Sequence, residues 1–203
     1  MNDLTVRLPE TAEARGRIAP KHFAHIVYKT PRFAEMIDWY STVLECEPVL
    51  KNDLLCFMTY DDEHHRIAIA NQPQLKDKPA DVAGVEHCAY TYGSLADLAA
   101  TYERLKAAGI TPYWCINHGF TLSMYYRDPD RNQVELQVDL FDDAAATTAW
   151  LEQSDFASNP IGVKFDPDEF ARRLKAGEDL SDILERRRID PSELHGQFPE
   201  GGL

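Results

Sequence analysis

"HGFTLSMYYRDPDRNQVELQVDL", residues 118–140, reads as strand, sharp turn, strand. The turn is rich in Asp, Pro and Asn, residues that fix φ or bond to their own backbone. Beyond it, Val134, Leu136 and Val138 share one face of an extended chain, and Gln133, Glu135 and Gln137 share the other. The apolar face predicts packing on a helix. The polar face must look into a cavity or solvent, because burying an unpaired carboxylate is very costly. Glu135 therefore needs a partner.

Candidate partners lie upstream. "KHFAHIVYKT", residues 21–30, alternates and predicts a strand carrying His25. "GVEHCAYTY", residues 84–92, predicts another, with His87 near its centre. Each is followed by a helical pattern. In "TPRFAEMIDWYSTVLE", Thr30 is the expected N-cap and Pro31 the first helical residue. Phe33, Met36, Ile37, Tyr40, Val43 and Leu44 form its apolar stripe. In "SLADLAATYERLKAAGI", Ser94 and Asp97 resemble a capping box and Gly109 ends the helix. Strands follow each helix: "LLCFMTY" and "RIAIAN" in the first half; "TPYWCIN", "TLSMYYR" and "QVELQVDL" in the second. The order strand, helix, strands thus occurs twice, with His25 and His87 on the leading strands. We read this as a structural duplication. The loop "QPQLKDKPADVAG" separates the halves.

Three groups of metal-binding type, His25, His87 and Glu135, therefore fall within three different strands. A sheet that curls brings them together. Two neutral imidazoles and one carboxylate leave open coordination positions, the donor set of the facial triad of non-heme Fe(II) oxygen chemistry; zinc, manganese or nickel also suit it.

Composition sets the limits. The 203 residues suffice for one domain with a real core. A net charge of -13 argues against nucleic acid or an anionic membrane surface as partner. Cys46, Cys56, Cys88 and Cys115 lack CxxC spacing and read as buried reduced thiols. The N-terminal stretch has no apolar core of signal-peptide length, so a cytoplasmic location is expected. Residues 1–20 are expected to form a polar arm, and 143–203 a C-terminal helical extension wrapping the domain or a partner subunit.

The segments "FAHIVYKT…MIDWYSTVLECEPVL", "GVEHCAY" and "HGFTLSMYYRDPDRNQVEL" resemble the vicinal oxygen chelate superfamily, and within it the type I extradiol ring-cleaving dioxygenases. The tail motif "NPIGVKFDPDEF" is similar to tails of single-domain members. The resemblance implies an α+β fold over 21–142. Two tandem βαβββ modules (21–78 and 84–142) would form a curled sheet cup around one metal site. It implies His25, His87 and Glu135 as ligands of Fe(II), with Mn(II) as the alternative. Three further roles follow from it: His65, of the pair in "EHHRIAIA", as acid/base in preference to His64; Tyr125 as a contact for substrate and oxygen; and His118 near a substrate hydroxyl. The implied substrate is a catechol-type diol cleaved with dioxygen, and the implied assembly a homodimer or higher homo-oligomer. Larger members carry an extra N-terminal pair of modules that this chain lacks. Rival readings are a glyoxalase-like or fosfomycin-resistance-like enzyme, or a metal-free small-molecule binding protein.

Overall fold

The computed structural model describes residues 11–79, 82–154 and 156–199. Of the expected polar arm, residues 1–10 lie outside these, and Ala12–Arg15 makes one helical turn, α1. The first module comprises β1 (Ile26–Thr30), α2 (Phe33–Leu44), β2 (Glu47–Lys51), β3 (Leu55–Thr59) and β4 (Ile67–Asn71). Its sheet has the order β1-β4-β3-β2, with β1 parallel to β4 and the other pairs antiparallel. The second comprises β5 (His87–Thr91), α3 (Leu95–Ala107), β6 (Trp114–Asn117), β7 (Thr121–Arg127) and β8 (Gln133–Asp139). Its strands repeat the same order, β5-β8-β7-β6. The duplication read from the sequence is therefore a duplication of topology. The strands belong to two sheets rather than to one curled sheet: β1 and β5, the two leading strands, each sit at an end of their own sheet.

Sequence explains most of the local starts and stops. The first long helix starts later than the sequence suggests: α2 begins at Phe33, with Arg32 as its N-cap and no side-chain cap bond. Thr30, a β1 residue, is therefore not the cap, and Pro31 precedes the helix. The Thr30 hydroxyl accepts from the Arg32 N–H at 2.8 Å in the turn between them. Ser94 caps α3 by accepting from Asp97 N at 3.1 Å. Gly109 follows α3 with φ of +78°, a conformation L side chains rarely adopt. One strand escaped the sequence reading: β2, "EPVLK", is exposed along its whole length and bulges between Pro48 and Leu50, so it shows no alternation.

Both modules share a core on the helix side of the sheets. Ile67 and Ile69 of β4, Met36 and Tyr40 of α2, Leu98 and Leu105 of α3, and Leu136 of β8 are all buried in it. Polar links join the modules as well. Tyr40 donates to Asp128 at 3.2 Å, and Arg32 pairs with Asp130 at 2.7 Å, so α2 and its entrance hold the Asp128–Asn132 turn of the other module.

The tail contains α4 (Ala144–Gln153), β9 (Val163–Lys164), α5 (Pro167–Ala176), α6 (Ser181–Leu184), a 3-10 turn (Pro191–Glu193) and α7 (Leu194–Gln197). It is not purely helical: β9 pairs antiparallel with β6 and adds a fifth strand to the second sheet. The segment docks on its own second module. Phe170 of α5 is fully buried, and Tyr102 of α3 donates to Asp168 at 2.7 Å. Trp114 of β6 donates through Nε1 to the Gln197 carbonyl at 2.9 Å. Among the described residues no helix is long and apolar enough to cross a membrane.

Candidate active site

Register decides which side chains meet. Ala89 of β5 pairs with Glu135 of β8, and Tyr125 of β7 lies across from the same glutamate. Paired residues point to the same face of a sheet. His87, Glu135, Tyr125 and Ser123 therefore share the face turned away from the helices, while Val134, Leu136 and Val138 join the core as their parity predicts.

Glu135 is 4 % exposed. Its Oε2 lies 3.0 Å from His87 Nε2, and its Oε1 lies 3.9 Å from His118 Nε2. Burial alone pushes its pKa up. Hydrogen bonds with His87, Ser123 and Tyr125, and the nearby His118, more than offset this and hold it below the usual carboxylate range. The hydrogen bond to Glu135 in turn raises His87. Burial lowers His118, whose ring Nε2 is 3.1 Å from the Tyr125 hydroxyl and whose Nδ1 is 2.5 Å from the Ile161 carbonyl. Desolvation, followed by the charge of Glu135, keeps the Tyr125 hydroxyl protonated.

A second cluster forms in the first module. The His25 and His65 rings lie 4.3 Å apart, and His65 stacks on Phe57 at 4.4 Å. His64 Nδ1 is 2.5 Å from His65 Nδ1, while its Nε2 reaches Glu63 at 3.3 Å. His22, read from the sequence as a plain surface residue, also pairs with Glu63, at 3.1 Å. Desolvation, then the neighbouring His25 and His64, lowers the His65 pKa.

Sequence reasoning put His25 and His87 in mid-strand. The structure puts His25 one residue ahead of β1 and His87 at the first position of β5. His87, Glu135, Tyr125 and His118 come together, as do His25 and His65, in two clusters on two sheets. Among the described residues no group of three or more His, Cys, Asp or Glu side chains stands close enough to hold an ion. The donor chemistry of His87 and Glu135 nonetheless suits a divalent cation: one imidazole nitrogen and one buried carboxylate approach each other on one face. A cavity of about 600 Å³ between β8, α4 and α6 contains none of the six anticipated site residues.

Some neighbours were not anticipated. Ser123 was detectable in principle, since it lies two residues from Tyr125 on the same strand face. Phe57 and the Ile161 carbonyl reach the site through tertiary packing, and no local pattern announces them.

Comparison with known proteins agrees with this architecture. Residues 22–136 match the model of the Glyoxalase/Bleomycin resistance protein/Dioxygenase superfamily. Biphenyl-2,3-diol 1,2-dioxygenase 2 of Rhodococcus globerulus is 45 % identical over 166 residues, 81 % of this chain and 87 % of that protein. Biphenyl-2,3-diol 1,2-dioxygenase 3 of the same organism is 38 % identical over 165 residues, 80 % of this chain and 87 % of that protein. The fold is shared with a glyoxalase/bleomycin resistance protein/dioxygenase from Nocardioides, at TM-score 0.51 and 15 % identity, covering 64 % of this chain and 91 % of that one. A domain of the same description from Frankia sp. EAN1pec matches at TM-score 0.51 and 17 % identity, covering 60 % and 99 %. By sequence and by topology, the chain belongs to the glyoxalase/bleomycin resistance protein/dioxygenase superfamily.

Proposed function

We propose that the protein is an extradiol dioxygenase that opens a catechol-type ring beside its diol, using dioxygen. The observation that carries this reading is buried Glu135, bonded to His87 at 3.0 Å beside Tyr125 and His118, in a chain 45 % identical to a biphenyl-2,3-diol dioxygenase. The two curated relatives, both diol dioxygenases by name, favour it over a glyoxalase-like, fosfomycin-resistance-like or metal-free binding role.

In this reading His87 and Glu135 would hold a divalent ion, with His25, from the other sheet, as the third donor that the family resemblance implies. The ion is Fe(II), with Mn(II) as the alternative. Such an ion lowers the pKa of a coordinated hydroxyl and keeps diol and dioxygen in proximity. His65 acts as the acid/base: its Nδ1 faces His64, which leaves Nε2 to take a proton from the diol and return it. His64 is the more exposed of the pair and bonds to Glu63, which favours His65 for this role. Tyr125 donates a hydrogen bond to oxygen on which charge develops, and His118 stands beside a substrate hydroxyl. The enzyme is placed in the cytoplasm, where its four free cysteines stay reduced, and is assembled as a homo-oligomer.

The test is anaerobic loading with Fe(II), metal analysis, and an assay against mono- and bicyclic catechols for a yellow product with oxygen uptake. Stoichiometric iron and turnover are expected. His65→Ala should keep the iron and lose most turnover, roughly 10²- to 10⁴-fold. A protein that binds no metal, or consumes no oxygen with any catechol, would refute the reading.

A further inference from the structure

We propose that the tail loop Asn159–Gly162 is a positioning element for His118, and that Asn159, through Ile161, fixes which ring nitrogen of His118 carries the proton. Its catalytic consequence rests on the ring-cleavage reading above; its structural content does not.

Asn159 is 3 % exposed, and its side chain is spent on its own turn. Its Oδ1 accepts from Gly162 N at 2.9 Å and from Ile161 N at 3.3 Å, and its Nδ2 donates to the Gly162 carbonyl at 3.0 Å. This Asx-type turn aims the Ile161 carbonyl at His118. A carbonyl oxygen only accepts, so at 2.5 Å the His118 Nδ1 must carry the hydrogen. In the neutral ring Nε2 then has a free lone pair, which faces the Tyr125 hydroxyl 3.1 Å away. Left to itself in water, a neutral histidine prefers the opposite form, with the proton on Nε2. The protein carbonyl reverses that preference.

The close approach of the loop is built in. Gly162 has φ of +115°, and a Cβ there would lie 2.1 Å from the Asn117 carbonyl oxygen, so only glycine fits against the end of β6. The backbone of the His118 segment is held by the tail as well. Arg186 donates to the His118 carbonyl at 3.2 Å, and Asn117 Nδ2 donates to the carbonyls of Ile183 and Leu184 at 2.7 and 2.9 Å. Ring and backbone are thus both anchored by residues that follow the duplicated modules. In the catalytic reading, His118 meets the diol as a hydrogen-bond acceptor, taking a bond from a hydroxyl rather than giving one.

The test is nitrogen NMR of the metal-free protein labelled with 15N-histidine, the His118 signal being identified by its loss in His118→Gln. The wild type should show Nδ1 protonated and Nε2 unprotonated. In Asn159→Ala the ring should move to the Nε2–H form or to a mixture. Asn159→Leu, close in size but with no acceptor, replaces the alanine variant if that one does not fold. In the iron-loaded enzyme, Asn159→Ala should lower kcat for a catechol by roughly 10- to 100-fold, the scale of an outer-shell hydrogen-bond partner, with KM little changed. A wild-type ring protonated on Nε2 would overturn the proposal, and so would an unchanged Nδ1–H ring in the folded Asn159→Ala or Asn159→Leu protein. If the ring behaves as expected while the wild type turns over no catechol, the positioning role stands and the dioxygenase reading falls.

Discussion

β2 and β6 occupy the same place in their modules, the outer end of the repeated strand order, yet β2 is exposed at every residue and β6 is buried at every residue. The faces behind them differ in the same way. In the first module Val27 and Leu50 are 55 % and 46 % exposed; in the second, Trp114, Ile116 and Tyr125 form a closed cluster. The cause is the tail. β9 pairs with β6, the Gln197 carbonyl takes the Trp114 N–H, and Ile161 packs on the Trp114 cluster. The duplication sets the frame, and a segment outside the duplication makes its two halves unequal.

Four substitutions test that inequality by their cost to stability, read from urea unfolding midpoints. Trp114→Ala should cost most, about 3–5 kcal/mol, because it removes a large buried side chain and strands the Gln197 carbonyl. Gly162→Ala should come next, at roughly 1–3 kcal/mol from backbone strain alone, with more from the clash against the Asn117 carbonyl. Tyr40→Phe removes the link from α2 to Asp128 and should cost about 1 kcal/mol, a measure of how firmly one module holds the turn of the other. Leu50→Ala on exposed β2 should stay within about 0.5 kcal/mol of wild type. Equal costs for Leu50→Ala and Trp114→Ala would erase the contrast between the two rims. A stable, fully active Gly162→Ala protein would show that the tail need not approach β6 so closely.

The parts of the fold legible in the sequence are those with a strong local period. The stripe of α2 and the alternation in β8 placed the core, and Ser94 marked the start of α3. β2 was hidden because a strand exposed on both faces, with Pro48 and a bulge, has no period to read. β9 is two residues long and exists through its partner. The site was legible to the same extent. Parity put Glu135 on a polar face, and register brought it to 3.0 Å from His87. How the leading strands of the two modules meet is a matter of packing between sheets, so the grouping of His25 with His65 was beyond any local pattern. The hold of Ile161 on His118 spans 43 residues and depends on a turn built by one asparagine side chain.

The bulge and Pro48 of β2 bear on crowding as well as on shape. A bare strand margin offers free backbone donors and acceptors to any neighbouring chain, but here the ladder is kinked, one amide hydrogen is missing, and Glu47 and Lys51 put charges at the ends. The corresponding margin of the second sheet, β6, is covered at Ile116 and Asn117 by β9. Of these two rims one is spoiled and the other capped, so edge-to-edge pairing of molecules through either is discouraged by unrelated means.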